Sequence, residues 1–299
     1  MERTGRVADR TDSVGVEKRR GAGGTILTGL IGMDIQGSRS PAMHMEEAAA
    51  QGIPLVYRLL DLATEGRSDD DLAATLDSVE REGFAGVNIT HPFKQRVIPL
   101  LDTVDDEARA IGAVNTVVFQ GGRRTGYNTD SSGFAEGFVR QLPGADVSRV
   151  VQIGAGGAGA ATAMAMIKLA CRELVIVDPK RGRAADVVER LAANGSADVA
   201  RVAPGDWAAE IAGATGIINA TPIGMEGHPG LPVDRSLLRP DLWVADVFYF
   251  PLETELLRAA RAAGCRTAHG GDMAVFQAAR AFDLFTGRNA DRQRMAANF

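Results

Sequence analysis

The chain has 299 residues, 45% of them hydrophobic and 24% charged, with 35 glycines and a net charge of −5. That profile suits a soluble globular protein of roughly two domains, and the acidic balance, with few aromatics and none interleaved with Lys/Arg runs, argues against nucleic acid as a partner. Cys171 and Cys265 have neither CxxC spacing nor a neighbouring histidine pair, so no disulfide framework or zinc site is indicated. No apolar run reaches the ~20 residues needed to cross a bilayer, and no secretory leader is visible, so the expectation is a cytoplasmic protein without membrane contact.

In chain order, residues 1–25 carry mixed charges, no apolar period and a glycine-rich end, which predicts a disordered extension. ILTGLIG from Ile26 reads as a strand, PAMHMEEAAAQG as a helix ended by Gly52, LVYRLLDL as a strand, DDLAATLDSVEREG as a helix with acids in its first turn, and GFAGVNIT as another strand. This βαβ rhythm implies a mostly parallel sheet with right-handed crossovers. KQRVIPLLDTVDDEARAIG is the next helix candidate, ended or kinked at Pro99. AVNTVVFQGGRRTGYNTD then reads as a hairpin turning at Gly121-Gly122.

At SRVVQIGAGGAGAATAMAMIKLA the pattern restarts as strand, glycine loop and small-residue helix, the natural start of a second domain. Strands follow at ELVIVD, ARVAP, GIINAT, LWVADVF and GCRTAHG, then the amphipathic helix MAVFQAARAFDLFTG and a polar end expected to dock back on the first domain.

Gly154-Ala155-Gly156-Gly157-Ala158-Gly159 satisfies GxGxxG, follows an apolar strand and opens a helix, and Asp178 ends the next strand about 20 residues on. Glycines there let the backbone approach a pyrophosphate seated on helix N-terminal N–H groups. A carboxylate at Asp178 accepts from adenosine ribose hydroxyls and repels a 2′-phosphate, which favours NAD. Lys180, Arg181 and Arg183 pull the other way: they either neutralise the phosphate of NADP or form a solvated helix start.

Polar residues also stand where packing would favour apolar ones: Ser38, Ser40 and His44 in GSRSPAMH, Asn88, Thr90, His91 and Lys94 in NITHPFK, Asn115 in AVNTVV, Asn128 and Asp130 in GYNTDSSGF, and Gln277 in VFQAARAF. Taken singly they read as a helix cap, turn residues, an N-cap and an exposed helix position. No metal-ligand spacing joins His44, His228 and His269, so no metal is predicted.

With these motifs, GSRSPAMH, GVNITHPFK, IGAVNTVV, GYNTDSSGF, GAGGAG, NATPIGM, DVFYFPLET and GDMAVFQAARAFDLFTG, the sequence resembles the shikimate dehydrogenase family from about Ile26 to Gly287. SRSPAMH, NITHPFKQ, Asp178 and PLETELLRAAR make it most similar to the NAD-dependent quinate/shikimate branch. The resemblance implies an α/β fold of two domains: a substrate-binding domain over residues 26–130, with a mostly parallel sheet and completed by C-terminal helices in 273–299, and a Rossmann NAD-binding domain over 131–272. It implies Lys94 and Asp130 as the catalytic pair, with Ser38, Ser40, Thr90, Asn115, Tyr249 and Gln277 holding a polyol carboxylate. For the dinucleotide it implies Gly154, Ala155, Gly156, Gly157, Ala158, Asp178, Arg183, Thr221, Pro222, Met225, Val247 and Gly270. It leaves His91 a structural or gating role, and Asp272 stands where the family often has glycine.

The implied activity is interconversion of shikimate and 3-dehydroshikimate, and of quinate and 3-dehydroquinate, with NAD. The alternatives are an NADP-dependent biosynthetic shikimate dehydrogenase, an enzyme for amino-substituted shikimate or quinate, and a paralogue that binds ligands without turnover. Oligomeric state, monomer or homodimer, is not legible in the sequence.

Overall fold

The computed structural model describes residues 24–196, 198–203 and 207–299, so all but the last two residues of the extension expected at 1–25 lie outside it. Among the described residues two six-stranded sheets organise the fold. The first takes β1 (Ile26–Gly32), β2 (Leu55–Asp61), β3 (Gly86–Ile89), β4 (Thr103–Val104), β5 (Thr116–Gln120) and β6 (Arg123–Tyr127) in the order β2-β1-β3-β5-β6-β4. The β1–β2, β1–β3 and β4–β6 pairings are parallel, while β3–β5 and β5–β6 are antiparallel. Helices α1 (Ser40–Ala50), α2 (Leu72–Arg81) and α3 (Asp106–Ile111) connect these strands. Gly121 and Gly122 turn the β5–β6 hairpin with φ of 61° and 72°, the left-handed pair that matches strand twist.

The helix expected to begin at Lys94 does not form: residues 94–97 are turns, Ile98–Leu100 is a single 3-10 turn, and α3 starts only at Asp106. Pro99 has no N–H to donate, and the Lys94 carbonyl accepts from the Val114 N–H (2.8 Å), so a tertiary bond takes the acceptor that a helix would use. Lys94 is thereby tied to the entry of β5.

Helix α4 (Asp130–Gln141) leads into the second sheet, β7 (Arg149–Ile153), β8 (Glu173–Val177), β9 (Ala200–Val202), β10 (Gly216–Asn219), β11 (Trp243–Asp246) and β12 (Arg266–Ala268), ordered β12-β11-β10-β7-β8-β9. All its pairings are parallel, and the order reverses between β7 and β10, the position at which doubly wound sheets bind dinucleotides. Helices α5 (Gly157–Lys168), α6 (Arg181–Leu191), α7 (Trp207–Ala212) and α8 (Glu255–Ala262) connect these strands. Its near-continuous Val/Ile/Leu strands, such as ELVIV with four of five residues buried, are what a sheet covered on both faces requires.

The last helices, α9 (Gly271–Thr286) and α10 (Arg292–Ala297), return toward the first sheet: α9 packs on α4, α1, β1 and β5, and Arg294 of α10 donates twice at 2.8 Å to Glu47 of α1. Glu47 is buried, yet those bonds hold its carboxyl below the usual range against the cost of burial. Among the described residues no helix is long and apolar enough to cross a membrane, and no cluster of metal-ligating side chains occurs. Cys171 and Cys265 are free and buried.

Candidate active site

Lys94 Nζ lies 2.7 Å from Asp130 Oδ2, although the two residues are 36 apart in sequence. Asp130 is the first residue of α4, with Thr129 as N-cap, and its own N–H donates to Asn128 Oδ1 (3.0 Å). A carboxylate in the first helical turn is favoured by the positive end of the helix dipole. Its second oxygen accepts from Asn115 Nδ2 at 2.8 Å, so both oxygens of a nearly buried carboxylate are held.

The pair opens into a cavity of about 280 Å³. Ser38, Ser40, Thr90, Asn115, Tyr249 and Gln277 all line it beside Lys94 and Asp130. Ser38 and Ser40 hydroxyls stand 3.2 Å apart at the start of α1, where Ser38 also accepts the Ser40 N–H. Gln277 reaches in from α9, with Oε1 3.4 Å from Thr129 Oγ1, so it is not the exposed helix residue that its position alone suggests. Tyr249 is half-buried, and burial pushes its phenol up. Asn115 is more constrained than expected, since its amide donates to Thr129 and Asp130 while its oxygen accepts from Thr129 N–H (2.8 Å) and Thr116.

On the other side the cavity reaches the second sheet through Ala158, Val247, Phe248 and Gly270. The glycine loop has the shape a pyrophosphate needs. Around Gly156 and Gly157 a Cβ would meet nothing within 4 Å, leaving backbone open to approach, whereas at Gly159 it would sit 2.2 Å from the Gly154 carbonyl oxygen. Gly154 itself has φ +103°. Asp178 Oδ2 accepts the Ala155 N–H (2.9 Å) and Oδ1 the Lys180 N–H (2.7 Å), which places the carboxylate beside the loop. These residues fit a dinucleotide. Thr221 packs near Gly154 and is held through Asn219, Pro222 is exposed and Met225 half-buried on the same loop, and Arg183 is exposed on α6; none of these four lines the cavity.

A family model for the shikimate dehydrogenase substrate binding domain matches residues 30–117. A shikimate dehydrogenase (NADP(+)) of Streptomyces avermitilis is 50% identical over 273 residues, covering 91% of this chain and 94% of that one. The chain belongs to the shikimate dehydrogenase family. A second member, the quinate/shikimate dehydrogenase (NAD(+)) of Corynebacterium efficiens, is 48% identical over 279 residues, 92% of this chain and 98% of its own. Among solved structures, quinate dehydrogenase from Corynebacterium glutamicum in complex with NAD superposes with a TM-score of 0.86 at 47% identity, covering 92% of this chain and 98% of that one.

For a shikimate dehydrogenase family member, several site-building residues were not legible in the sequence. Asp61 accepts from Asp34 N–H, Ile35 N–H and Gln36 (2.9–3.0 Å) and so shapes the loop that carries Ser38. Burial opposes its ionisation, but hydrogen bonds from Gln36, Ile35, Thr64 and Asp34 outweigh that and hold it down at about 2. Gln152 holds the glycine loop from below, donating to the carbonyls of Gly154 and Gly159. Asn88, a polar residue the sequence did single out, is buried and joins Tyr57 (2.8 Å) to Thr116 (3.0 Å), a bracing role its motif did not show. The one available signal was polarity inside otherwise apolar strands. Met273, also on the cavity wall, carried none.

Proposed function

We propose that the chain is a nicotinamide-dependent dehydrogenase that oxidises one ring hydroxyl of a polyhydroxylated carboxylate, interconverting shikimate with 3-dehydroshikimate and quinate with 3-dehydroquinate, with NAD preferred. The observation that carries this reading is the Lys94–Asp130 pair in a cavity walled by hydroxyls and amides on one side and reaching the glycine loop on the other. In this reading residues 26–130 with 273–299 supply all of the polyol contacts but Tyr249, and residues 131–272 hold the dinucleotide.

Bound at the glycine loop, a nicotinamide dinucleotide supplies the hydride acceptor. The chain's own residues handle the rest. Lys94 and Asp130 together receive the hydroxyl proton as the carbonyl forms and return it in the reverse direction. Ser38 and Ser40 receive the carboxylate, while Thr90, Gln277 and Tyr249 pair the remaining hydroxyls, since each polar group buried with the ligand needs a partner. Asn115 holds Asp130 in register. Asp178 favours NAD because its carboxylate, already anchored by two backbone N–H groups, repels a 2′-phosphate.

A second reading, NADP as cofactor, draws on the NADP(+) name of the Streptomyces relative and on Lys180 and Arg183, both exposed just past Asp178. Initial rates with shikimate and quinate, each against NAD and NADP, test both. Turnover favouring NAD supports the first, a higher kcat/KM with NADP supports the second, and no turnover in any of the four would sink both.

A further inference from the structure

Helices α4 and α9 pack more extensively than any other helix pair. Gly133 and Gly137, one turn apart on α4, allow this: a Cβ on Gly133 would stand 2.6 Å from the Gln277 backbone nitrogen, and one on Gly137 would stand 2.9 Å from Asp272 Cβ. The helices are therefore in backbone contact and run antiparallel. Asp130 and Gln277 face the cavity near one end of the contact, and Arg140 and Gln141 finish α4 near the start of α9.

At that far end α4 grips the short β12–α9 connection, residues 269–270, and the first turn of α9. Arg140 Nη1 donates to both oxygens of Asp272 at 2.8 Å. Gln141 exchanges two bonds with the His269 backbone, donating to its carbonyl (3.0 Å) and accepting its N–H (2.9 Å). Gly270, inside this loop, lines the cavity and lies so close to Val247 that a Cβ there would be 2.0 Å from the Val247 carbonyl oxygen. Arg140 is 55% exposed but Asp272, in the first turn of α9, only 8%, so removal of the guanidinium leaves a nearly buried carboxylate without its ion-pair partner, which favours a shift of that first turn and of Gly270 before it.

We infer that Arg140, Gln141 and Asp272 are positioning residues for hydride transfer: through the twelve-residue rod of α4 they set the Val247–Gly270 wall of the cavity against Asp130 at the other end. None of the three lines the cavity. The inference rests on the dehydrogenase reading, because that wall matters only where a nicotinamide ring stands beside it.

Arg140→Gln and Asp272→Asn test it, with Arg140→Lys as the rescuing variant. The affinity for NADH and for NADPH is read by fluorescence titration without polyol; kcat, polyol KM and the primary deuterium isotope effect are read in turnover. The expected result is about tenfold loss in kcat and in affinity for the preferred dinucleotide, a larger isotope effect, polyol KM within about twofold of wild type, and most of the loss restored in Arg140→Lys. Unchanged dinucleotide affinity and kcat would overturn the inference, as would a polyol KM rising in step, which means general loosening. A wild-type protein that binds NADH yet oxidises no polyol would overturn the dehydrogenase reading instead, and the titrations would still decide whether the loop is set from α4.

Discussion

The Asn115 amide donates to Oδ1 of Asp130 over 2.8 Å, and this leaves Oδ2 to Lys94. One residue at the entry of β5 thereby fixes which oxygen of the carboxylate meets the lysine. Because the other Asn115 donor goes to Thr129 at 3.0 Å, the amide is committed to orienting the pair.

Removing either member of that pair should stop the chemistry and spare the fold. Lys94→Ala and Asp130→Asn are each expected to lower kcat by roughly 10²–10⁴-fold, the scale of a positioned acid–base group, with thermal midpoints near wild type. Rates close to wild type in either variant would place the proton transfer elsewhere.

Asn115→Ala separates two roles for this residue. An orienting role predicts a fall in kcat of about tenfold or more with polyol KM little changed. A rise in KM at constant kcat would instead assign the amide to the ligand.

Asp178→Asn should shift cofactor choice. The amide loses the negative charge and one of the two backbone N–H contacts, so kcat/KM with NAD is expected to fall and the NAD/NADP ratio to drop by about tenfold or more. An unchanged ratio would show that Asp178 only braces the loop.

The glycine loop separates binding from stability. Gly157→Ala fills open space, so it should weaken dinucleotide affinity and leave the melting temperature alone. Gly159→Ala drives a Cβ to 2.2 Å from the Gly154 carbonyl oxygen, and is expected to lower the melting temperature by several degrees, checked by calorimetry. Equal melting temperatures in the two variants would contradict the packing seen between loop and helix.

His44 makes acid stability measurable at one site. It is fully buried against the rings of Tyr57, Phe282 and Phe285, with neither ring nitrogen hydrogen-bonded among the described residues. Burial lowers its pKa from 6.5 to about 3. Below about pH 6.5 the unfolded chain takes up a proton that the folded chain refuses, so stability is complete above that pH and falls as pH drops toward 3. By about pH 5 the loss amounts to about 2 kcal/mol. His44→Phe should flatten urea midpoints between about pH 7 and 5; an equal slope in wild type and variant would show that other groups set it.

Two acids show how much of the site the sequence carried. Asp61 ends the second strand of its sheet and Asp178 directly follows that of the other, and each accepts from the loop after the neighbouring first strand: Asp61 the Asp34 and Ile35 N–H groups, Asp178 the Ala155 N–H. Asp178 was legible because a glycine pattern about 20 residues earlier gives an acid there a local meaning. Asp61 was not, because GSRSP has no pattern that demands a carboxylate partner. The failed helix at Lys94 has a similar cause, since local period suggested it and a bond from Val114 removed it.

Local chemistry alone determined the alternation of strands and helices, the Gly121-Gly122 turn and the glycine loop, since each depends on residues within one or two turns of one another. The 2.7 Å contact of Lys94 with Asp130, the commitment of Asn115 and the grip of Arg140 on Asp272 came only with tertiary structure. They join residues up to 132 apart, and only the register of two sheets and the glycine-tight packing of α4 on α9 decides whether such side chains meet.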